Sequence, residues 1–177
     1  AILEIAQEMA ELRLTRKVER PVRFAFWGAE EAGLLGAEHY VSELNTKQRS
    51  QIYANLNFDM LGSPNFARFV YDGNGSAGGP AGPPGSAQIE DIFTSYFASK
   101  GLKTAPTDFD GRSDYGPFIA TGIPAGGLFS GAEGVKTRKE ARMFGGTAGV
   151  AYDACYHSAC DDITNIITLP GDPTTAA

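Results

Sequence analysis

Twice, this chain drives an apolar run with strand character straight into acid. The stretch Val22-Arg-Phe-Ala-Phe-Trp-Gly-Ala-Glu30-Glu31 ends in adjacent carboxylates, and Ile52-Tyr-Ala-Asn-Leu-Asn-Phe-Asp59 repeats the pattern. In open α/β sheets, ligands bind at the carboxyl ends of the strands. Adjacent acids repel, so holding them together at such a point calls for a cation or a proton. The two runs therefore predict both a sheet and a site at one end of it.

The rest of the chain fits that frame. Ile2, Ile5, Met9 and Leu12 predict an amphipathic helix over 1–14. Strand 22–27 follows, then helix from Glu30 to about Leu44, with Gly28, Gly33 and Gly36 permitting close backbone approach. Strands 52–58 and 68–72 come next. Residues 73–86, rich in Gly and Pro, read as a flexible surface loop within one domain. Helix 87–99 should turn Ile89, Ile92, Phe93, Tyr96 and Phe97 inward. Ser113 is placed to cap a short helix over 114–121, and strand 123–129 closes the series. Helices alternating with strands predict an α/β fold with a mixed, largely parallel sheet flanked by helices.

With 177 residues the chain is long enough for one domain with a core. A formal charge of −6 and no basic stripe argue against nucleic acid as a partner. No apolar run reaches the ~20 residues of a membrane span. The Gly-rich loop carries neither a phosphate-cradling Gly-Lys-Ser/Thr nor a dinucleotide fingerprint.

The chemistry-bearing residues each have a plainer reading. Glu30 and Glu31 could simply decorate a helix N-terminus, which the macrodipole favours. Placed after a buried strand, the pair divides instead into a metal ligand and a proton acceptor. Asp59 is either a turn former or a ligand, and Asn55 and Asn57 can bond to loops. With only two histidines, a metal site must lean on carboxylates. His39 beside Glu38 reads as solvated helix surface. His157 lies between Cys155 and Cys160, which form either a zinc-thiolate pair or a short-range disulfide, the latter favoured because one pair supplies too few soft ligands. A disulfide implies an oxidising, extracellular compartment. Asp110-Gly-Arg112-Ser-Asp114 reads as a turn salt bridge or as a polar clamp for a charged substrate end. Phe118 and Phe129 suit the core.

Taken together, five blocks carry a family resemblance: Phe26-Trp-Gly-Ala-Glu-Glu-Ala-Gly-Leu-Leu-Gly36, Leu56-Asn-Phe-Asp-Met-Leu-Gly-Ser-Pro64, Asp110-Gly-Arg-Ser-Asp-Tyr-Gly-Pro-Phe118, Gly126-Gly-Leu-Phe-Ser-Gly-Ala132 and Cys155-Tyr-His-Ser-Ala-Cys160. In this order they resemble the secreted zinc aminopeptidases of peptidase family M28, especially the Streptomyces type. The resemblance implies a co-catalytic two-zinc peptidase that removes large apolar N-terminal residues from peptides with a free N-terminus. Water bridging the two zinc ions is the nucleophile and Glu30 the general base. Glu31 and His157 match ligands of one zinc and Asp59 a ligand of the other. Tyr156 matches a hydrogen-bond donor to the tetrahedral intermediate. Arg112 matches a residue near the substrate's N-terminal end, with Asp110 in the same turn. Phe129 and Met60 match the wall of a side-chain pocket, and Cys155–Cys160 matches the family disulfide.

The family also uses a histidine and a metal-bridging aspartate upstream of its glutamate pair, and residues 1–29 contain neither. The chain is therefore expected to be the C-terminal part of a catalytic domain, completed by an N-terminal segment that could be a separate chain or carry a surface anchor. Alone it is expected to bind at most one zinc, weakly, and to be inactive. The resemblance leaves room for a calcium ion near Asp172. Two other readings compete: a one-zinc transferase of the glutaminyl-cyclase type, and a non-catalytic binding fragment.

Overall fold

The computed structural model describes residues 1–14 and 17–167. Asp172, and with it the calcium expectation, lies outside the described residues. Four strands form one sheet: β1 (Asn55–Asp59), β2 (Phe69–Tyr71), β3 (Ala105–Thr107) and β4 (Ala125–Phe129), in the order β1-β4-β2-β3. β1 and β4 pair in parallel, as do β2 and β3, while β2 and β4 run antiparallel. The α/β class and the mixed, mostly parallel sheet are as the sequence implies. β3 went unread because its three residues, Ala105-Pro-Thr107, show no strand pattern.

The described residues form seven α-helices: α1 (Ile2–Glu11), α2 (Leu35–Ser42), α3 (Thr46–Gln51), α4 (Ser86–Ser99), α5 (Gly116–Ala120), α6 (Arg138–Phe144) and α7 (Ile163–Ile167). The sequence reading missed α3 and α6, although both announce themselves by a capping box. Asn45 and Gln48 exchange side-chain and backbone bonds at the start of α3, and Thr137 and Glu140 do so at α6. α4 lies directly on β4, because Gly126 offers no side chain: a Cβ there would overlap Ile89. Its inner stripe is narrower than expected. Ile89 is buried and Phe93 meets Phe58 edge-on at 6.1 Å, but Ile92 and Tyr96 point to solvent.

Three further expectations need correction. Residues 22–27 form no strand; Val22 and Phe26 are exposed, and only Trp27 joins the core. An apolar pattern supplies a strand's face, but a strand also needs a neighbour to pair its backbone, and no described residue provides one. The single helix expected from Glu30 is interrupted. A short 3-10 turn at Glu30–Ala32 stops at Gly33 (φ 102°) and Leu34 (φ 59°), and α2 starts anew. At Gly36 the chain passes against Gly28, whose carbonyl would lie 2.7 Å from a Cβ. Ser113 does not cap α5; the cap position is Tyr115, and the Ser113 hydroxyl accepts from Asn57 Nδ2 at 2.7 Å.

The core is built in three patches. Ala37, Val41, Phe118 and Ile123 form one, packed by Trp27, Tyr40 and Ile52. Tyr71, Phe109, Tyr115 and Ala125 form the second. Ala67, Phe144 and Tyr152 form the third. Phe118 is core, as read from the sequence.

Candidate active site

A cavity of about 490 Å³ opens at the carboxyl ends of β1 and β4, where the antiparallel β2 begins. Its wall contains Glu30, Glu31, Asp59, Met60, Asp110, Arg112, Phe129, Tyr156 and His157. The nine non-cysteine residues matched to a site through the family resemblance thus line one space.

Each is delivered by an element end. Asp59 is the last residue of β1 and Phe129 the last of β4, paired in register with one another. β1 and β4 can close on each other because Gly127 (φ 141°) lacks a Cβ, which would overlap the Asn57 carbonyl. The 3-10 turn presents Glu30 and Glu31, launched by Ala29 at φ 55°. Met60 (φ 51°) and His157 (φ 55°) are also left-handed. Such conformations in non-glycine residues are uncommon, and they cluster at functional sites where the surrounding fold holds them.

His157 Nε2 and Glu31 Oε2 meet at 2.8 Å, both side chains more than half exposed to the cavity. Cys155 and Cys160 form a disulfide, Cα–Cα 5.3 Å, that closes the loop carrying His157. The rings of Tyr156 and His157 stack at 3.9 Å. Arg112 pairs not within its own turn but with Glu133 (Nη2–Oε1 2.9 Å), and its charge and donors act on the Tyr156 hydroxyl. The turn itself is tied by Asp110, whose Oδ1 accepts from Arg112 N at 3.0 Å and from the Tyr115 hydroxyl at 2.8 Å.

The site is crowded with negative charge. Burial pushes Glu30 up to about 6, helped by Glu31, Asp59 and Asp114 and opposed by His157. Burial and then Asp59 raise Asp114 to about 6, and its Oδ1 is buried without a hydrogen-bond partner. Tyr156 is raised by burial and by Glu31. A carboxyl that ionises near neutrality can both accept and return a proton.

As donors, Glu31 and His157 suit zinc in kind, since imidazole nitrogen and carboxylate oxygen are usual zinc ligands. In number they fall short. Among the described residues, no three His, Cys, Asp or Glu converge to hold a metal ion, whereas a catalytic zinc commonly takes three protein ligands and a water.

The sequence did not reveal Phe69, Tyr71, Tyr152, Asp108 or Glu133 as cavity wall. Phe69 stacks on Phe129 at 5.9 Å and meets Tyr152 edge-on at 5.4 Å. The long-range pairing of β2 with β4 brings Phe69 to Phe129, backbone bonds to Ala132 and Gly134 bring in the Tyr152 segment, and no local signal marks either.

Acids, an imidazole and a phenol thus line one cavity at an end of the sheet. Over residues 1–170 the chain matches peptidase family M28, and it belongs to that family. It is 56% identical to an aminopeptidase of Pseudomonas aeruginosa over 159 residues, which are 90% of this chain and 30% of that protein. It is also 56% identical to a probable leucine aminopeptidase 2 of Aspergillus oryzae, over 84% of this chain and 30% of the relative. Among solved structures, a zinc aminopeptidase from Bacillus subtilis superimposes with a TM-score of 0.58 at 25% identity, covering 79% of this chain and 30% of that one. An aminopeptidase from Aneurinibacillus sp. strain AM-1 gives 0.54 at 23% identity, covering 79% and 27%, a likeness of fold. The chain spans about a third of the length of these relatives.

Proposed function

We propose that this chain supplies the base, the oxyanion donor and part of the metal shell of a zinc aminopeptidase that releases large apolar N-terminal residues from peptides. One observation carries the reading: Glu30, raised to about 6, shares a single cavity with Glu31, Asp59, His157 and Tyr156. The names of the relatives support it.

Glu31 and His157 would hold one zinc and Asp59 would contribute to a second. Zinc there would supply a Lewis acid that polarises the scissile carbonyl and acidifies water. Glu30 takes the proton of the attacking water and returns it to the leaving amine. The Tyr156 hydroxyl donates to the carbonyl oxygen as charge builds on it. The surplus of carboxylates around Glu30 favours a free ammonium end and so exopeptidase action. Phe129, Phe69 and Met60 offer the first side chain an apolar wall. The 177 residues by themselves are proposed to bind at most one zinc, since among the described residues Glu31 and His157 are the one pair of these candidate ligands in contact. The Cys155–Cys160 disulfide supports a secreted or extracellular setting.

The test offers the full-length protein Leu-initiated and Gln-initiated reporter peptides side by side. The reading expects free leucine to be released, lost on chelation and restored by zinc. Cyclisation of the Gln-initiated peptide with release of ammonia, and no leucine release, would overturn it in favour of a transferase.

A further inference from the structure

We propose that Glu133 is a positioning residue for this reaction: it pins the Arg112 guanidinium so that the free donors of Arg112 fix the Tyr156 hydroxyl toward the substrate. The proposal rests on the aminopeptidase reading, because it takes Tyr156 as the oxyanion donor.

Glu133 stands on a loop after β4 that is held from several sides. The Ser130 hydroxyl donates to Ser63 Oγ at 2.9 Å, and Ser63 donates to the Gly131 carbonyl at 2.5 Å. Lys136, 1% exposed, donates from Nζ to the Phe66 and Gly145 carbonyls, both at 2.7 Å. The same loop is zipped to the segment that leads into Tyr156: Tyr152 N donates to Gly134 O and Asp153 N to Ala132 O. Glu133 and the backbone feeding Tyr156 therefore share one platform.

The Arg112 side chain is less firmly held, although its backbone N–H is bound by Asp110. It projects from an exposed turn, 60% exposed in its side chain, and Glu133 is its one ion-pair partner among the described residues. The Glu133 carboxylate is held in turn by its own backbone N–H. A guanidinium carries five donors in a rigid fork, so one edge can bind Glu133 while others remain for the phenol. An ion pair this exposed adds little to folding, which leaves orientation as its contribution. Glu133 also offsets the positive charge of Arg112 where the substrate's ammonium end would lie.

The test is a mutant cycle in full-length, zinc-loaded protein with leucine p-nitroanilide. Glu133→Gln should lower kcat about tenfold, less than the ~10²-fold a fully misplaced group can cost, with KM within about twofold. Glu133→Asp should restore most of it. On a Tyr156→Phe background, Glu133→Gln should lower kcat no further, because the lost interaction is already gone. Unchanged kcat in Glu133→Gln, or an equal loss on both backgrounds, would overturn the proposal. A wild type without turnover would instead refute the aminopeptidase reading. The positioning role is then decided by NMR, through the cross-peak between the Arg112 guanidinium and the Tyr156 ring. Its loss in Glu133→Gln and retention in Glu133→Asp support the proposal; its persistence in Glu133→Gln refutes it.

Discussion

His157 Nε2 stands 2.8 Å from Glu31 Oε2, so two residues far apart in the sequence meet in the wall of the cavity. One comes from the turn that follows an apolar run, the other from a disulfide-closed loop at φ 55°. The contact is a hydrogen bond from imidazole to carboxylate; on the proposed function, a bound cation would take both atoms as ligands.

Removing the base should separate chemistry from binding. Glu30→Gln in the full-length zinc-loaded protein is expected to lower kcat by roughly 10²–10⁴-fold with little change in KM. Steady-state hydrolysis of a Leu-initiated substrate checks this. Near-normal turnover would mean that another group takes the proton.

The crowded carboxyls should make the metal-free protein less stable as pH rises. Glu30 and Asp114 both titrate near 6 when folded, above their ordinary 4.5 and 3.8. A carboxyl with a raised folded pKa binds its proton more tightly in the folded state. Its destabilising effect is absent below the unfolded pKa, grows between about 4 and 6, and is complete above 6. Thermal unfolding of the metal-free protein across that window should show the decline, and Glu30→Gln should flatten it. An equally steep decline in the variant would remove Glu30 from the explanation.

Gly127 should tolerate no side chain. At φ 141°, a Cβ would run into the Asn57 carbonyl where β1 and β4 close. Gly127→Ala is expected to cost about 3 kcal/mol, visible as a lower denaturant midpoint. A midpoint unchanged from wild type would show that the two strands can separate at this point.

Much of this site was legible because it is written in short strings at element ends. Glu30-Glu31, Asp59 and Tyr156-His157 each follow a local pattern, and the cavity gathers them all. The fold class was equally readable from alternating helices and strands. Illegible were the features that depend on partners. The run Val22–Trp27 has a strand's composition but no described neighbour, and so no strand. Phe69 reaches the cavity through the pairing of β2 with β4, and Tyr152 and Glu133 through the backbone bonds of 152–153 to 132–134, which no local periodicity encodes. The break at Gly33 and Leu34 needed two left-handed residues in succession, one of them a leucine that composition alone would keep in the helix.

Opening the disulfide should affect both the fold and the metal. Cys155 and Cys160 are five positions apart, a loop whose closure is worth about 2 kcal/mol of chain entropy. Replacing both with serine should lower stability by that order. It should also weaken zinc binding about tenfold, as loss of support for a ligand commonly does, because His157 loses the frame that holds its left-handed backbone. Calorimetric zinc titration of the double variant measures the second effect; wild-type affinity would place the disulfide's role elsewhere.

The central claim is that Glu31 and His157 bind zinc together. Its most direct test is a zinc titration of the metal-stripped full-length protein beside His157→Ala. The account predicts that the variant loses one zinc per chain while its far-ultraviolet circular dichroism stays that of the wild type. Equal zinc stoichiometry and affinity in the two proteins would contradict it.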